Sequence, residues 1–167
     1  MDGHRIRERR HRLPREHYCG EVAVLFTACV AQRYPLFTSS QTVSAFLVLL
    51  RRAMDGYICD VPIYCFMPDH VHLVLRGREP DSDAWSAMVR FKQYTGRWMR
   101  LQRSRGRWQK DFYDYILRDH RELVAAARYV AENPVRRNLV DEWAQYPFTG
   151  AVGVDLEWVM QEATWSK

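Results

Sequence analysis

Residues 67–75 read MPDHVHLVL, a His-hydrophobic-His pattern at the start of an alternating apolar run. Successive side chains on a strand point to opposite faces of a sheet. His70 and His72 are therefore predicted to share one face, while the apolar residues between and after them share the other. Two neighbouring imidazoles can hold a divalent metal, but such a pair is also explained by solvation or by hydrogen bonding.

A second signal lies downstream, where the chain reads DHRELVAAARYVAENP from Asp119. Asp119 and Glu122 have the spacing of a capping box, and the alanine-rich run favours helix. Pro134 disfavours a helical conformation in the residue before it, so we expect the helix to end near Asn133. Tyr129 and Asn133 are four residues apart and occupy one flank of this helix. The pair indicates either a functional role or a boundary tyrosine with an asparagine that caps the helix end.

Hydrophobic periodicity predicts seven elements in the order βαββαβα. They are a strand at 21–30, a helix at 40–54 ended by Asp55-Gly56, strands at 58–67 and 70–75 joined by a tight turn at Pro68-Asp69, a helix at 81–103, a strand near 112–118 and the helix at 119–133. This order is the ferredoxin-like pattern of an α+β fold, for which an antiparallel sheet with helices on one face is the natural packing.

Composition is that of a globular protein: 47% of the 167 residues are hydrophobic and 27% are charged. This length is sufficient for one domain with a real core. No apolar run approaches the roughly 20 residues that a membrane span requires, so no membrane partner is expected. The four cysteines form no C-x-x-C pair, which indicates neither a zinc ribbon nor a redox motif. We expect reduced, partly buried thiols in a cytoplasmic protein.

The net charge of +5 is distributed unevenly along the chain. Residues 1–17 contain six arginines and three acids, and residues 76–110 contain ten basic residues and three acids. Such blocks are typical of surfaces that contact nucleic-acid phosphates, although the first is also explained as a solvated tail. In the second, arginines lie among aromatic residues, a pattern that suits a single strand held by charge and stacking. The predicted nucleic-acid contacts are Arg5, Arg7, Arg9, Arg10, Arg12, Lys92, Arg97, Arg103, Arg105 and Arg107.

The two signals, and the segment between them, occur in an order that resembles the single-tyrosine HUH transposases (IS200-like). The branch that the chain resembles most is that of the REP-associated tyrosine transposases. Residues 67–75, 108–118 and 129–140 carry the resemblance, which with the first strand covers most of residues 20–150. It implies a ferredoxin-like fold of the HUH endonuclease type. It also implies that the last predicted helix crosses to the sheet face that bears the two histidines.

The resemblance assigns roles by position. His70 and His72 are similar to the two histidine ligands of the family's metal, Asn133 to the third ligand and Tyr129 to the nucleophile. The third ligand is often Gln in insertion-sequence relatives, and because Asn is one methylene shorter, the helix end must lie closer to the metal. The small residue usual after Asn-Pro-Val-Arg is partly lost here, but Asn138 tolerates a left-handed turn.

The implied activity is that of a metal-dependent transposase that nicks and joins single-stranded, hairpin-forming DNA. Attack by the tyrosine would give a 5′-phosphotyrosyl enzyme and a free 3′-OH, which preserves the phosphoester energy for rejoining. A phenol with a pKa of about 10 needs help at neutral pH, and Mg²⁺ or Mn²⁺ would act as a Lewis acid. Monomers and homodimers both occur among such relatives. The protein is expected to be cytoplasmic and nucleoid-associated.

Three segments are predicted: a basic arm at 1–17, the catalytic domain at 18–150 and a C-terminal appendage at 151–167. Two other functions stay open. One is a non-catalytic module on the same fold that binds nucleic acid, which would lack the nucleophile or the ligands, whereas all four positions are filled here. The other is an unrelated metallohydrolase that uses the two histidines with Asp69 or another carboxylate. Other tyrosines also compete for the nucleophilic role, namely Tyr94, Tyr113 and Tyr115.

Overall fold

We describe the protein from a computed structural model covering residues 12–165, with side chains as far as residue 161. Its elements are β1 (Ala23–Cys29), α1 (Ser40–Gly56), β2 (Cys59–Met67), β3 (His70–Gly77), α2 (Ala84–Leu101), β4 (Tyr113–Leu117), α3 (His120–Arg136), β5 (Thr149–Val152) and α4 (Leu156–Trp165). Short 3-10 helices lie at Arg15–Tyr18, Ala31–Arg33 and Trp143–Gln145. The elements from β1 to α3 follow the predicted βαββαβα order.

The five strands form one antiparallel sheet in the order β4-β1-β3-β2-β5. Its first four strands have the ferredoxin-like arrangement, which confirms the predicted α+β fold. Helices α1 and α2 cover one face, with Phe46 and Phe91 in the core between them and the sheet. Helices α3 and α4 cover the other face, with Val130 and Met160 in a second core. The last predicted helix therefore does cross to the opposite face, and both faces are covered.

The histidine strand β3 is the central strand, and its side chains alternate as predicted. Val71 and Leu75 enter the core beneath α1 and α2, so His70 and His72 face α3. Strands β1 and β2 flank β3 on both sides, and Thr27 lies opposite His72. Each histidine is only 5% exposed. Solvation on an open face is therefore excluded as the explanation of the pair.

Helix α3 passes through Pro134 and ends at Arg136, so the prediction that it ends near Asn133 is wrong. Proline removes one helical hydrogen bond. The helix still closes, because the Leu139 N–H donates to the Pro134 carbonyl oxygen at 2.9 Å. Asn138 makes this closure possible by adopting the expected left-handed conformation, with φ of 55°. The extra turn carries Arg136 onto the flank of the helix that bears the functional pair.

Other helix boundaries also differ from the prediction, among them the end of α2, which is at Leu101 and not at residue 103. Helix α1 includes residues 55–56, which were expected to end it. Helix α2 begins at Ala84, three residues later than predicted, because the Asp83 side chain caps it by accepting the Ser86 N–H at 2.9 Å. Capping by side chains is local chemistry that hydrophobic periodicity alone does not reveal.

The C-terminal segment belongs to the same sheet. Strand β5 was not predicted, because its four residues, TGAV, show no apolar alternation. It pairs with the edge of β2, and the predicted boundary between residues 150 and 151 falls inside it. The Tyr146 hydroxyl donates to the Phe66 carbonyl oxygen at 2.8 Å, and Val159 and Met160 are buried with α3. The segment thus continues the core on the α3 face.

Candidate active site

The imidazoles of His70 and His72 lie side by side, with ring centroids 4.8 Å apart and planes nearly perpendicular. Each ring uses Nδ1 for a hydrogen bond to a neighbouring side chain. His70 Nδ1 lies 2.6 Å from Asp69 Oδ1, and His72 Nδ1 lies 2.8 Å from Thr27 Oγ1. When Nδ1–H donates to these oxygens, Nε2 of each ring keeps its lone pair. Metal-ligating histidines are typically oriented by such outer partners.

Burial keeps both imidazoles neutral. It lowers the pKa of His72 to about 3, aided by the charges of His70 and nearby arginines. Burial also lowers the pKa of His70, although the hydrogen bond with Asp69 opposes the shift. Burial would raise the pKa of Asp69, but its hydrogen bond with His70 and the charge of Arg33 bring that pKa below its usual value. Neutral imidazole is the form that binds a metal, so both rings are in the ligating state.

Helix α3 brings Asn133 and Tyr129 to this pair. The Asn133 Nδ2 donates to the Tyr129 carbonyl oxygen at 3.1 Å. The Asn133 side chain also lies within hydrogen-bonding reach of His72, where it opposes the lowering of the His72 pKa by burial. The Tyr129 ring lies edge-on to His72, with centroids 5.6 Å apart. Asn133 is buried, whereas Tyr129 is 42% exposed. Four residues predicted from separate segments therefore meet at one place.

The donor atoms available here fit a divalent cation. They are the two imidazole Nε2 atoms and the amide oxygen of Asn133, a mixed set that leaves positions for further ligands. Within residues 12–161, no group of three or more His, Cys, Asp or Glu side chains could hold a metal. An ion at this site would therefore depend on the amide of Asn133, whose short side chain already reaches His72.

Three arginines around the site were not predicted. Arg33 pairs with Asp69 Oδ2 at 3.5 Å, and the Arg136 guanidinium carbon lies 4.5 Å from the centroid of the Tyr129 ring. The charge of Arg137 acts on both histidines. Arg136 and Arg137 were missed because the helix was expected to end before them. In a helix that continues, Arg136 follows Tyr129 by seven residues, or two turns, and so lies on the same flank. Their positive charge suits a phosphate substrate.

The alternative tyrosines lie on other elements than α3. Tyr94 is on the α2 side of the sheet, packed against arginine side chains. Tyr113 and Tyr115 share the histidine face but lie on the edge strand β4, which β1 separates from β3. Tyr113 is exposed opposite Thr27, and Tyr115 is near Glu122. Asp69, a ligand of the alternative metallohydrolase, instead forms a hydrogen bond with Nδ1 of His70.

A groove of about 550 Å³ lies between α2 and residues 107–112, on the sheet face opposite the histidine pair. We call it the α2 groove. Besides Lys92, its polar lining includes two predicted nucleic-acid contacts, Arg97 and Arg107, and its apolar lining includes Phe112. Two more of the predicted contacts, Arg103 and Arg105, are exposed in the loop after α2. Four others lie outside the described residues, in the basic arm: Arg5, Arg7, Arg9 and Arg10.

Two further predicted contacts are held by the protein itself. The Lys92 ammonium donates to the carbonyl oxygens of residues 109–111 at 2.8 to 3.3 Å, and burial lowers its pKa to about 8. The Arg12 guanidinium lies 4.8 Å from the Trp85 ring centroid and donates to the Phe112 carbonyl oxygen. In this arrangement, Lys92 secures one wall of the α2 groove and Arg12 anchors the start of the described chain.

A ferredoxin-like sheet with a buried histidine pair on its central strand, faced by a helical tyrosine, defines the class of HUH-type transposases. Comparison with known proteins agrees with this assignment. The profile of the family described as "Transposase IS200 like" matches residues 20–133, which is more than half of the chain. The chain therefore belongs to the IS200-like transposase family and is a transposase.

Two similar proteins are REP-associated transposases, the branch that the sequence resembles. A Haemophilus influenzae protein described as "Putative REP-associated tyrosine transposase" is 22% identical over 118 residues, which cover 64% of this chain and 67% of the relative. A solved structure of a REP-associated tyrosine transposase bound to a REP hairpin matches with a TM-score of 0.69 at 18% identity. The match covers 83% of this chain and 80% of that one, and it confirms the predicted fold.

Proposed function

We propose that this transposase cleaves and rejoins single-stranded, hairpin-forming DNA by metal-dependent transesterification, with Tyr129 as the nucleophile. The observation that carries the proposal is the exposed Tyr129 ring beside His72 and Asn133. A nucleophile of this kind must be accessible to a bulky phosphodiester while the groups around it are held rigidly. Both conditions are met, because α3 packs the tyrosine's neighbours into the core and leaves its ring at the edge.

In the proposed step, the Tyr129 hydroxyl oxygen attacks the scissile phosphorus. A bond forms between phosphorus and Oη, and the bond between phosphorus and O3′ breaks. The phenolic proton passes to solvent and the 3′ oxygen takes up a proton, so the products are a 5′-phosphotyrosyl ester and a 3′-OH. The reverse step with another 3′-OH joins two strands without ATP, because the ester energy is retained.

His70, His72 and Asn133 would hold the ion, Mg²⁺ or Mn²⁺, through two Nε2 atoms and one Oδ1. When bound, it supplies a Lewis acid for the phosphoryl oxygens. The chain contributes the orientation of the donors. Asp69 and Thr27 orient the imidazoles through Nδ1, and the Tyr129 carbonyl oxygen orients the amide.

Thr27→Val is expected to weaken Mn²⁺ binding by about 10- to 100-fold, the usual effect of removing an outer partner of a ligating histidine. Valine keeps the shape of the side chain but cannot accept the His72 Nδ1–H. Titration of the free protein, followed by Mn²⁺ electron paramagnetic resonance, measures the affinity. Thr38→Val, at an exposed position before α1, is the matched control. Equal affinities in Thr27→Val and the wild type would contradict an outer role for Thr27.

We also propose that the α2 groove binds the single strand beside the hairpin, since it combines arginines with apolar and aromatic walls. The α2 groove and Tyr129 lie on opposite faces of the sheet. Residues 107–112, which form one wall of the groove, reach the end of β1 that lies beside His70. There Trp108 forms a β-bridge with Val30, whose N–H donates to the Asp69 carbonyl oxygen at 2.8 Å. A strand leaving the groove would reach Tyr129 around this end. The basic arm, residues 1–17, would contact the adjoining DNA.

Arg97→Gln and Arg100→Gln are each expected to weaken DNA binding and to reduce the salt dependence of the affinity. The slope of log K against log salt should become shallower by about 0.7 to 0.9 for each phosphate that the protein no longer neutralises. Fluorescence anisotropy with a labelled hairpin carrying a single-stranded flank, at several salt concentrations, measures both effects. Arg51→Gln, on the exposed side of α1, controls for the loss of one positive charge. Slopes equal to that of the control would place the strand elsewhere.

The partner and location follow from the same proposal. Hairpin-forming DNA as the partner is supported by the solved relative, which is bound to a REP hairpin. A cytoplasmic, nucleoid-associated location is supported by the DNA substrate and by four free thiols, three of them buried. No helix in the described part of the chain is long and apolar enough to cross a membrane. Strand β3 and helix α3 of one chain bring together the four proposed site residues, which supports a monomer as the catalytic unit.

The decisive experiment is covalent trapping. The protein is mixed with labelled hairpin DNA from the flanks of its own gene and Mn²⁺ or Mg²⁺, and run on a denaturing gel. A shifted protein–DNA band that disappears on chelation supports the proposal. Cut DNA without a shifted band would indicate a metallonuclease that uses water, and bound but uncut DNA would indicate a non-catalytic binding module.

A further inference from the structure

We propose that Arg136 is a positioning residue that clamps the Tyr129 side chain for attack. The inference rests on the proposed role of Tyr129 and adds a residue to that site. Arg136 makes contacts to the backbone and the ring of Tyr129 and to Glu132.

The guanidinium of Arg136 is held on three sides. Its Nη2 donates to the Tyr129 carbonyl oxygen at 2.6 Å, and its Nη1 lies 3.6 Å from Glu132 Oε2. Its Cζ lies 4.5 Å from the centroid of the Tyr129 ring, at the distance of a cation–π contact. Nη2, Nη1 and the Cζ of the Arg136 guanidinium thus have separate partners. A planar guanidinium can satisfy all three at once, whereas an ammonium cannot.

The exposure of the Tyr129 ring explains why a second contact is needed to hold it. At 42% exposed, the Tyr129 ring has few core neighbours to fix its rotamer. His72 contacts the Tyr129 ring edge-on, and the Arg136 guanidinium lies over the face of the same ring. Displacement of a reacting group by about 1 Å can cost 10²-fold in rate. A restraint on both sides therefore keeps the hydroxyl where the scissile phosphorus would lie.

Helix α3 makes this contact possible by continuing through Pro134. Residues seven apart are two turns apart on one flank of a helix. A helix that ended before the proline would release Arg136 from this flank. The same carbonyl oxygen of Tyr129 also accepts the Asn133 Nδ2, so nucleophile, amide and arginine are joined at one atom.

The test compares Arg136→Met, which keeps the length of the stem, and Arg136→Lys, which keeps the charge. Both should slow single-turnover adduct formation at saturating DNA by about 10- to 100-fold, and the Kd for hairpin DNA should rise no more in Arg136→Met than in Arg121→Met. Arg121→Met, at the exposed first turn of α3, controls for one lost charge. Glu132→Gln removes the ion pair with Arg136 but keeps the arginine, so it should lower the rate of adduct formation by a smaller factor. An unchanged rate in Arg136→Met, or full activity in Arg136→Lys, would overturn the clamp and indicate a simple charge or phosphate contact.

A second readout does not depend on cleavage. The free protein is labelled with 3-fluorotyrosine, and the fluorine resonance of Tyr129 is assigned by its absence in Tyr129→Phe. We expect Arg136→Met to shift and sharpen this resonance, because the ring loses the guanidinium and gains freedom, while Arg121→Met leaves it in place. An unmoved resonance in Arg136→Met overturns the inference. If the wild type forms no adduct, the proposed function fails, and this measurement still decides whether the clamp exists.

Discussion

Tyr129→Phe is expected to abolish the covalent protein–DNA adduct, with a fall of at least about 10³-fold in its rate of formation. Phenylalanine keeps the ring beside His72 and beneath Arg136 but removes the attacking oxygen. DNA affinity should stay near that of the wild type, because the arginines around the site and in the α2 groove are unchanged. Denaturing gels measure the adduct, and fluorescence anisotropy measures binding.

Tyr94→Phe is the matched control for this experiment. Tyr94 is on α2, on the sheet face opposite the histidine pair, so loss of its hydroxyl should leave the adduct at the wild-type level. Wild-type adduct formation by Tyr129→Phe would show that another side chain attacks the DNA. Mass spectrometry of the trapped peptide would then identify it.

His72→Leu is expected to lower adduct formation by roughly 10³-fold, equivalent to about 4 kcal/mol of transition-state stabilisation. Leucine fills the buried position at similar volume, so the fold should persist while Nε2 is lost as a donor. The Mn²⁺ affinity of the free protein should fall in parallel. Quenched-flow sampling of the adduct, with Mn²⁺ titrated over several decades, separates loss of affinity from loss of rate.

His120→Leu provides the control for losing one histidine, because His120 is exposed at the start of α3. It should leave both the Mn²⁺ affinity and the adduct rate unchanged. Retention of metal-dependent cleavage by His72→Leu would show that the ion is held elsewhere. Loss of cleavage with unchanged Mn²⁺ affinity would instead limit His72 to orienting the substrate.

The central features of the fold could be predicted because they depend on periodicity. Alternation along residues 70–75 predicted which side chains of β3 enter the α1 and α2 core. The spacing of Tyr129 and Asn133 placed both on one flank of a helix, and the structure brings them together at His72. Each of these inferences requires only the local geometry of a strand or helix, which the chain carries in its own pattern.

Other features escaped prediction because they depend on contacts between distant residues. Strand β5 has no alternation of its own and is defined by pairing with β2. The continuation of α3 through Pro134 depends on the hydrogen bond from Leu139 and on the cap at Asn138. Lys92 looked like a phosphate contact, but three backbone carbonyl oxygens from a loop 17 to 19 residues away receive its ammonium.

The sequence by itself determined the order of the elements, the shared face of His70 and His72 and the family to which the chain belongs. Only the tertiary structure decided that the pair is buried, that Asp69 and Thr27 occupy both Nδ1 atoms, and that Arg136 lies over Tyr129. The physical reason is the range of the forces involved. Periodicity records which way each side chain points, whereas burial, hydrogen-bond partners and charge contacts arise when β1, β3 and α3 pack together.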